Sequence, residues 1–249
     1  MITDPWFYAV AVPAVLMMGL AKSGFGAGFG ALATPLMALA IPVPQAAAIM
    51  LPLLLVMDAF GVKALWHLRD RNLLRLLLPA GMLGTLTGLL TFGLLPTHVV
   101  AGIVGALTLL FLAQRLLFPP HVDAPPPPRW LGFTLGIASG FTSFVAHAGS
   151  PPVSAYVLPL RLQPMVFTAT MAIFFAAVNL SKIIPYAWLG LIDLRNMSTA
   201  LMLMPLAPVG VWIGIRLVPH IPAQLFYRLV YIGMFLTGVK LLWDGFRGI

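Results

Sequence analysis

The sequence predicts an all-α polytopic membrane protein, and three observations carry that prediction. Of its 249 residues, 61% are hydrophobic and only 8% charged, where a soluble domain carries about a quarter charged residues. The apolar residues fall in long runs, most of them near the ~20 residues an α-helix needs to cross the hydrocarbon core. The few charges sit between those runs or stand alone inside them.

The N-terminus, Met1-Ile2-Thr3-Asp4-Pro5, has no basic stretch, so the first run is expected to stay as a helix rather than be cleaved as a leader. Apolar segments follow at about 6–22, 25–41, 45–66, 73–95 and 98–118. Lys22-Ser23-Gly24-Phe25-Gly26-Ala27-Gly28-Phe29-Gly30 places a cation and four alternating glycines within this apolar region. Glycine favours irregular backbone, which is stable at membrane depth only when buried in protein or lining a wet cavity. The run is therefore a candidate wall of a substrate path. Alternating glycines equally allow close helix packing without a ligand. Next comes a polar linker, 119–129, whose four consecutive prolines make a stiff extended connection. The second half gives segments at about 130–147, 150–160, 164–188, 196–218 and 223–244. Segment 150–160 is too short to span at the rise of a helix. It and the glycine segment are expected to be broken or re-entrant, which leaves about eight to ten crossings.

The two halves resemble each other, dividing the chain into a first transmembrane repeat (1–118), the linker (119–129) and a second repeat (130–249). Pro35 to Pro44 followed by Ala46-Ala47-Ala48 matches Tyr156 to Pro164 followed by Thr168-Ala169-Thr170. Continuing that register sets Asp58 opposite Asn179, and Gly84/Gly88 opposite Gly210/Gly214. Five segments per half is an odd number, so the repeats are expected to be inverted, as in many secondary transporters. Arg69, Arg71 and Arg75 put loop 67–75 on the cytoplasmic side, with the linker and the Arg216–Arg228 connection. The loop around Asp193 and Arg195 then lies outside. Lys240 and Arg247, at an outside C-terminus, fit the rule less well.

Gly24 to Gly30 with Ala33-Thr34-Pro35, Gly136-x-x-x-Gly140, Gly149-Ser150-Pro151, Asn179-x-x-Lys182, Tyr186 and Gly190 together resemble the sulfite exporter TauE/SafE family, also called toluene-sulfonate uptake permeases. The resemblance covers about 15–245 and rests on the order of the motifs. The stretch Gly140 to Gly149 departs from it, being poorer in glycine than in many members. Membership implies transport of sulfite, sulfate or small organosulfonates such as sulfoacetate across the cytoplasmic membrane, often as export.

A path for such an anion needs convergent donors and positive charge. Lys22 beside the glycine amides, with Ser23, Gly26, Gly28, Gly30 and Thr34, forms the first-half candidate set; Ser143, His147 and Ser150 form the second. Two half-helix N-termini, after Gly30 and after Gly149, are expected to point at one midplane site, with Ser150 capping the second. Ser143 and His147, four apart, share one helical face. Asn179 and Lys182 are expected to face the anion. Asp58 is expected to pair with a lysine across the repeat interface or to accept a coupling proton, since ionisable groups inside spans are costly and usually functional. Lys22 and Lys182 near helix ends also fit simple snorkelling.

The net charge of +8 comes from fourteen Lys and Arg against six Asp. It is spread one or two residues per loop, the pattern of membrane topology rather than nucleic-acid binding. The absence of Cys rules out disulfides and thiolate metal sites, and the five His have no ligand spacing. No metal or cofactor is expected, and no Walker-type loop is present for ATP hydrolysis. The expected partners are the small anion, membrane lipid and, in a homodimer, a second copy of the chain. Three other readings stay open. They are uptake of sulfate, thiosulfate or another anion; a structural or receptor-like module; and an intramembrane hydrolase built on Ile137-Ala138-Ser139-Gly140, which lacks the first glycine of the protease motif it resembles.

Overall fold

The computed structural model describes residues 1–22, 30, 33–37, 39–91, 94, 96–117, 126–217 and 220–248. All the regular structure among them is helical: α1 (Pro5–Leu20), α2 (Ala33–Met37), α3 (Val43–Leu65), α4 (Arg71–Leu90), α5 (Thr97–Leu117), α6 (Arg129–Ala146), α7 (Ser150–Val157), α8 (Pro164–Ser181), α9 (Ile183–Trp188), α10 (Leu194–Leu203), α11 (Leu206–Leu217) and α12 (Ala223–Arg247). By length and composition, three described helical stretches can cross a membrane, or four if the bent pair α10–α11 counts as one. The apolar runs 150–160, 164–188 and 196–218 are each divided into shorter helices.

Proline explains the divisions. It offers no N–H to the carbonyl four residues back and crowds it. Pro185 does this to Ser181, and α8 stops there, leaving Lys182 between α8 and α9. Pro205 and Pro208 lie at the 44° bend between α10 and α11. Pro159 follows the end of α7, and Arg161 turns left-handed at φ 52°.

Aspartates start three helices. The Asp4 side chain accepts from Trp6 N, Asp70 from Asn72 N and Leu73 N, and Asp193 from Asn196 N. Each satisfies amides that the first turn leaves free. Asp244 pairs with Lys240 one turn earlier. Asp58 is then the only buried carboxylate among the described residues.

Glycine sets the helix spacing. Along α4 and α6, Leu76, Ala80, Gly84 and Gly88 meet Gly132, Gly136, Gly140 and Phe144 in step. A Cβ on Gly84 would lie 2.1 Å from the Ile137 carbonyl oxygen, and one on Gly140 would lie 2.0 Å from that of Gly81. Gly19 of α1 meets Gly210 of α11 backbone to backbone, and Gly102 and Gly105 of α5 meet α12 at Gly245, Gly238 and Leu242. Such small-residue contacts are how helices approach closely in lipid. In the centre, α3 packs on α8; α3 also touches α10 and α11, while α8 touches α4. Large apolar side chains such as Leu90, Leu110, Ile184, Trp188 and Phe246 are exposed, as a lipid-facing surface requires.

Candidate functional site

Six polar side chains from four parts of the chain meet in the interior. Lys22, two residues beyond the end of α1, bonds Asp58 Oδ1 of α3 through its Nζ at 2.6 Å. The other Asp58 oxygen accepts from Asn179 Nδ2 of α8 at 2.7 Å. Asn179 Oδ1 accepts from Lys182 Nζ at 2.9 Å. Lys182 also donates to Ser143 Oγ of α6 at 2.8 Å and to His147 Nδ1 at 2.9 Å. His147 Nε2 lies 3.0 Å from the Ala47 carbonyl. A carbonyl only accepts, so Nε2 carries the ring proton and Nδ1 is free to accept from lysine.

The local backbone makes this possible. The break at Pro185 ends α8 where Lys182 must turn inward, and Lys182 is fully buried. His147 closes α6 in the left-handed region, φ 52°, ψ 24°. There its imidazole leaves the helical face and reaches both Lys182 and α3.

Beside this chain of bonds lies a cavity of about 40 Å³, room for about three waters. Lys22, Ser143, His147, Ser150, Thr168 and Asn179 form its polar lining, and Met18, Leu54, Met171 and Phe175 much of its apolar lining. The lysine is close to that apolar wall, its Nζ 5.3 Å from the Phe175 ring centre.

Each acceptor atom in the network takes one hydrogen bond, and among the described residues several donors make none. An ammonium has three N–H groups, and Lys182 has three acceptors around it. Asp58 has both oxygens engaged, and His147 Nδ1 and Asn179 Oδ1 are engaged by Lys182. Among the described residues, none takes two of the Lys22 N–H groups, the second amide hydrogen of Asn179 or the hydroxyl hydrogen of Ser143. Lys22 and Asp58 form an ion pair, and Lys182 adds a basic nitrogen whose three contacts are all with uncharged groups. Such a set of donors beside a cavity can offer hydrogen bonds to the oxygens of a ligand.

The sequence expectations meet this geometry unevenly. Lys22, Gly30, Ser143, His147, Ser150 and Asn179 line the cavity together. Lys182 belongs to the group but stands behind Ser143, His147 and Asn179 rather than facing an anion directly. Asp58 pairs with Lys22 of its own half; the link across the halves goes through Asn179. Thr34 is buried, and its hydroxyl has no partner among the described residues, but it does not line the cavity. Ser150 is not a cap: Gly149 is the N-cap of α7, with no side-chain bond. Ser23, Gly26 and Gly28 lie outside the described residues. Ser139, the serine of the hydrolase reading, gives its hydroxyl to the Gly149 carbonyl at 2.6 Å, and His147 is committed to Lys182 and Ala47.

Thr168, Met171 and Phe175 escaped the sequence reading. With Asn179 they follow helical spacing along one face of α8, a stripe of roughly 16 Å at 1.5 Å per residue. Thr168 is buried with an unpartnered hydroxyl. Extending the stripe back from Asn179 finds all three.

On another side of the network, Tyr186 donates to the Phe144 carbonyl at 2.6 Å, and the two rings meet edge to face. Ala47, Leu51, Phe144 and Tyr186 form a buried cluster there. Tyr186→Phe keeps the packing and removes that bond, so it is expected to cost about 1 kcal/mol, measured by thermal unfolding in detergent. An unchanged melting temperature would show that the bond contributes nothing.

The profile of the family described as Sulfite exporter TauE/SafE matches residues 11–241. No curated protein and no solved structure matches the chain.

Proposed function

Because the chain belongs to the TauE/SafE sulfite exporter family, a family of membrane transporters, we propose that it is a secondary transporter carrying sulfite, sulfate or a small organosulfonate such as sulfoacetate out across the cytoplasmic membrane. The observation that carries this reading is the set of donors left over around the cavity between Lys22, Ser143 and Asn179. The cavity volume suits a small oxyanion better than a large ligand.

We further propose that repeats 1–118 and 130–249 are inverted and work by alternating access. The exchange of partners between the halves supports this. The first helix of each half packs on the fourth apolar segment of the other, α1 on α11 and α6 on α4, and like pairs with like in α3–α8 and α5–α12. The site lies where the halves meet. Asp58, its one carboxylate, is the proposed coupling group.

The test is anion-dependent thermal stabilisation of the purified chain. A ligand at about 100 times its Kd stabilises the native state by about 2.7 kcal/mol. Sulfite, sulfate, thiosulfate, sulfoacetate and taurine are compared with chloride. A melting temperature that rises with a sulfur anion and not with chloride is the expected result; no rise with any of them would sink the reading. Flux into proteoliposomes under an imposed pH gradient then reads direction and proton coupling.

A further inference from the structure

The neighbours of Lys182 satisfy it in two protonation states without any heavy atom moving. They are Ser143 Oγ at 2.8 Å, His147 Nδ1 at 2.9 Å and Asn179 Oδ1 at 2.9 Å. Two of them only accept. His147 Nε2 gives its hydrogen to the Ala47 carbonyl, so Nδ1 holds a lone pair. Asn179 gives its amide to Asp58, so its oxygen faces the lysine. The third neighbour is a hydroxyl, which both donates and accepts. As an ammonium, Lys182 donates to all three, and the Ser143 hydrogen is left for the cavity that Ser143 lines. As a neutral amine, Lys182 has two hydrogens and one lone pair. The hydrogens go to His147 and Asn179, and Ser143 must donate to the lone pair. Its hydroxyl then has no hydrogen left for a ligand.

The surroundings separate the two states. The titratable groups near Lys182 are His147 of α6, Tyr186 of α9 with its hydroxyl held by the Phe144 carbonyl, and, beyond Asn179, Asp58 bonded to Lys22. Among the described residues no carboxylate touches Lys182, which is fully buried, and a buried ammonium without a counter-charge is costly. An anion in the cavity supplies that counter-charge. We infer that the empty site holds Lys182 as a neutral amine, and that anion binding draws one proton onto its Nζ while the Ser143 hydrogen turns from the lysine to the ligand. The inference rests on the anion-site reading above. The proton comes from the aqueous phase and bonds to the Nζ lone pair that Ser143 has released. An amine is intrinsically more basic than an imidazole, so Nζ takes it rather than His147. It is separate from any proton that Asp58 carries.

Isothermal titration of the full chain in detergent counts the proton. Sulfate and sulfoacetate serve as probes, since neither changes charge near neutral pH. Sulfonate buffers are themselves candidate ligands, so two amine buffers of different ionisation enthalpy are used, with chloride as counter-ion. The expected result is uptake of about one proton per anion, with a Kd that rises by up to about tenfold for each unit of rising pH. Binding without proton uptake would overturn the inference while leaving an anion site in place. Binding of no anion at all, including the panel above, would instead sink the anion-site reading. Asp58→Asn is expected to keep the uptake; its loss in a folded variant that still binds would put the proton on the carboxylate and overturn the inference. The chain has only four lysines, so isotope-labelled lysine Cε resonances give a direct readout. The signal missing from Lys182→Met is expected at the neutral-amine position in the anion-free wild type and at the ammonium position with anion bound. An ammonium signal without anion would also overturn the inference. Each readout decides alone if the other's variant does not fold.

Discussion

Lys182→Met is expected to abolish anion-dependent stabilisation and transport, while moving the anion-free stability by no more than about 1 kcal/mol. The side chain is fully buried and touches no carboxylate, so Met removes a desolvated amine without leaving an unpaired charge behind. The three acceptors it leaves, on Ser143, His147 and Asn179, line a polar cavity that water can enter. What disappears is the nitrogen that holds Ser143, His147 and Asn179 in place. The Ser143 hydroxyl is also no longer held with its hydrogen turned to the cavity. Lys182 acts through the groups in front of it, so the informative readout is the split between the two melting temperatures. A purely structural lysine would lower the anion-free value and leave the anion-induced rise intact. Lys182→Arg is not expected to rescue, because a flat guanidinium with five donors does not fit a fully buried position with three acceptors.

The second large effect is on folding. Gly84→Ala puts a methyl 2.1 Å from the Ile137 oxygen, 2.8 Å from Phe141 N and 2.9 Å from Gly140 Cα. All three are backbone atoms, so relief requires α4 and α6 to separate. Overpacking costs about 1–3 kcal/mol when side chains can adjust; here they cannot, and a loss at or above the upper end of that range is expected. Because α6 carries Ser143 and ends at His147, any surviving protein should also bind anions poorly. Gly61→Ala is the control. Its new methyl would meet only the Ala172 methyl at 3.9 Å, and removing a mid-helix glycine is expected to be neutral or to stabilise by up to ~1 kcal/mol. Detergent melting curves of the two variants decide the matter; equal loss in both would refute a contact-specific effect.

Much of this arrangement was legible in the sequence. Charge and hydroxyl stand out in an apolar chain, so Lys22, Asp58, Ser143, His147, Asn179 and Lys182 were visible as a set, and the register between the halves paired Asp58 with Asn179. The sequence could not give the directions of the side chains. Whether Lys182 faces an anion or the backs of three polar neighbours depends on the turn after Ser181, and Pro185 marks that break without aiming the ammonium. Nor does composition single out Met171 or Phe175, which look like any lipid-facing apolar residue until α3 packs on α8. The His147 proton is fixed by the Ala47 carbonyl, a main-chain group that no side-chain pattern reveals.

The in-step contact of α4 and α6 has a mechanical consequence. Notches repeat every four residues on both helices, at 80, 84 and 88 against 132, 136 and 140. A slide of one residue would drive a side chain of α6 into the backbone where a glycine now sits. The joint therefore behaves as a latch rather than a bearing: it holds Ser143 and His147 at one height against α4.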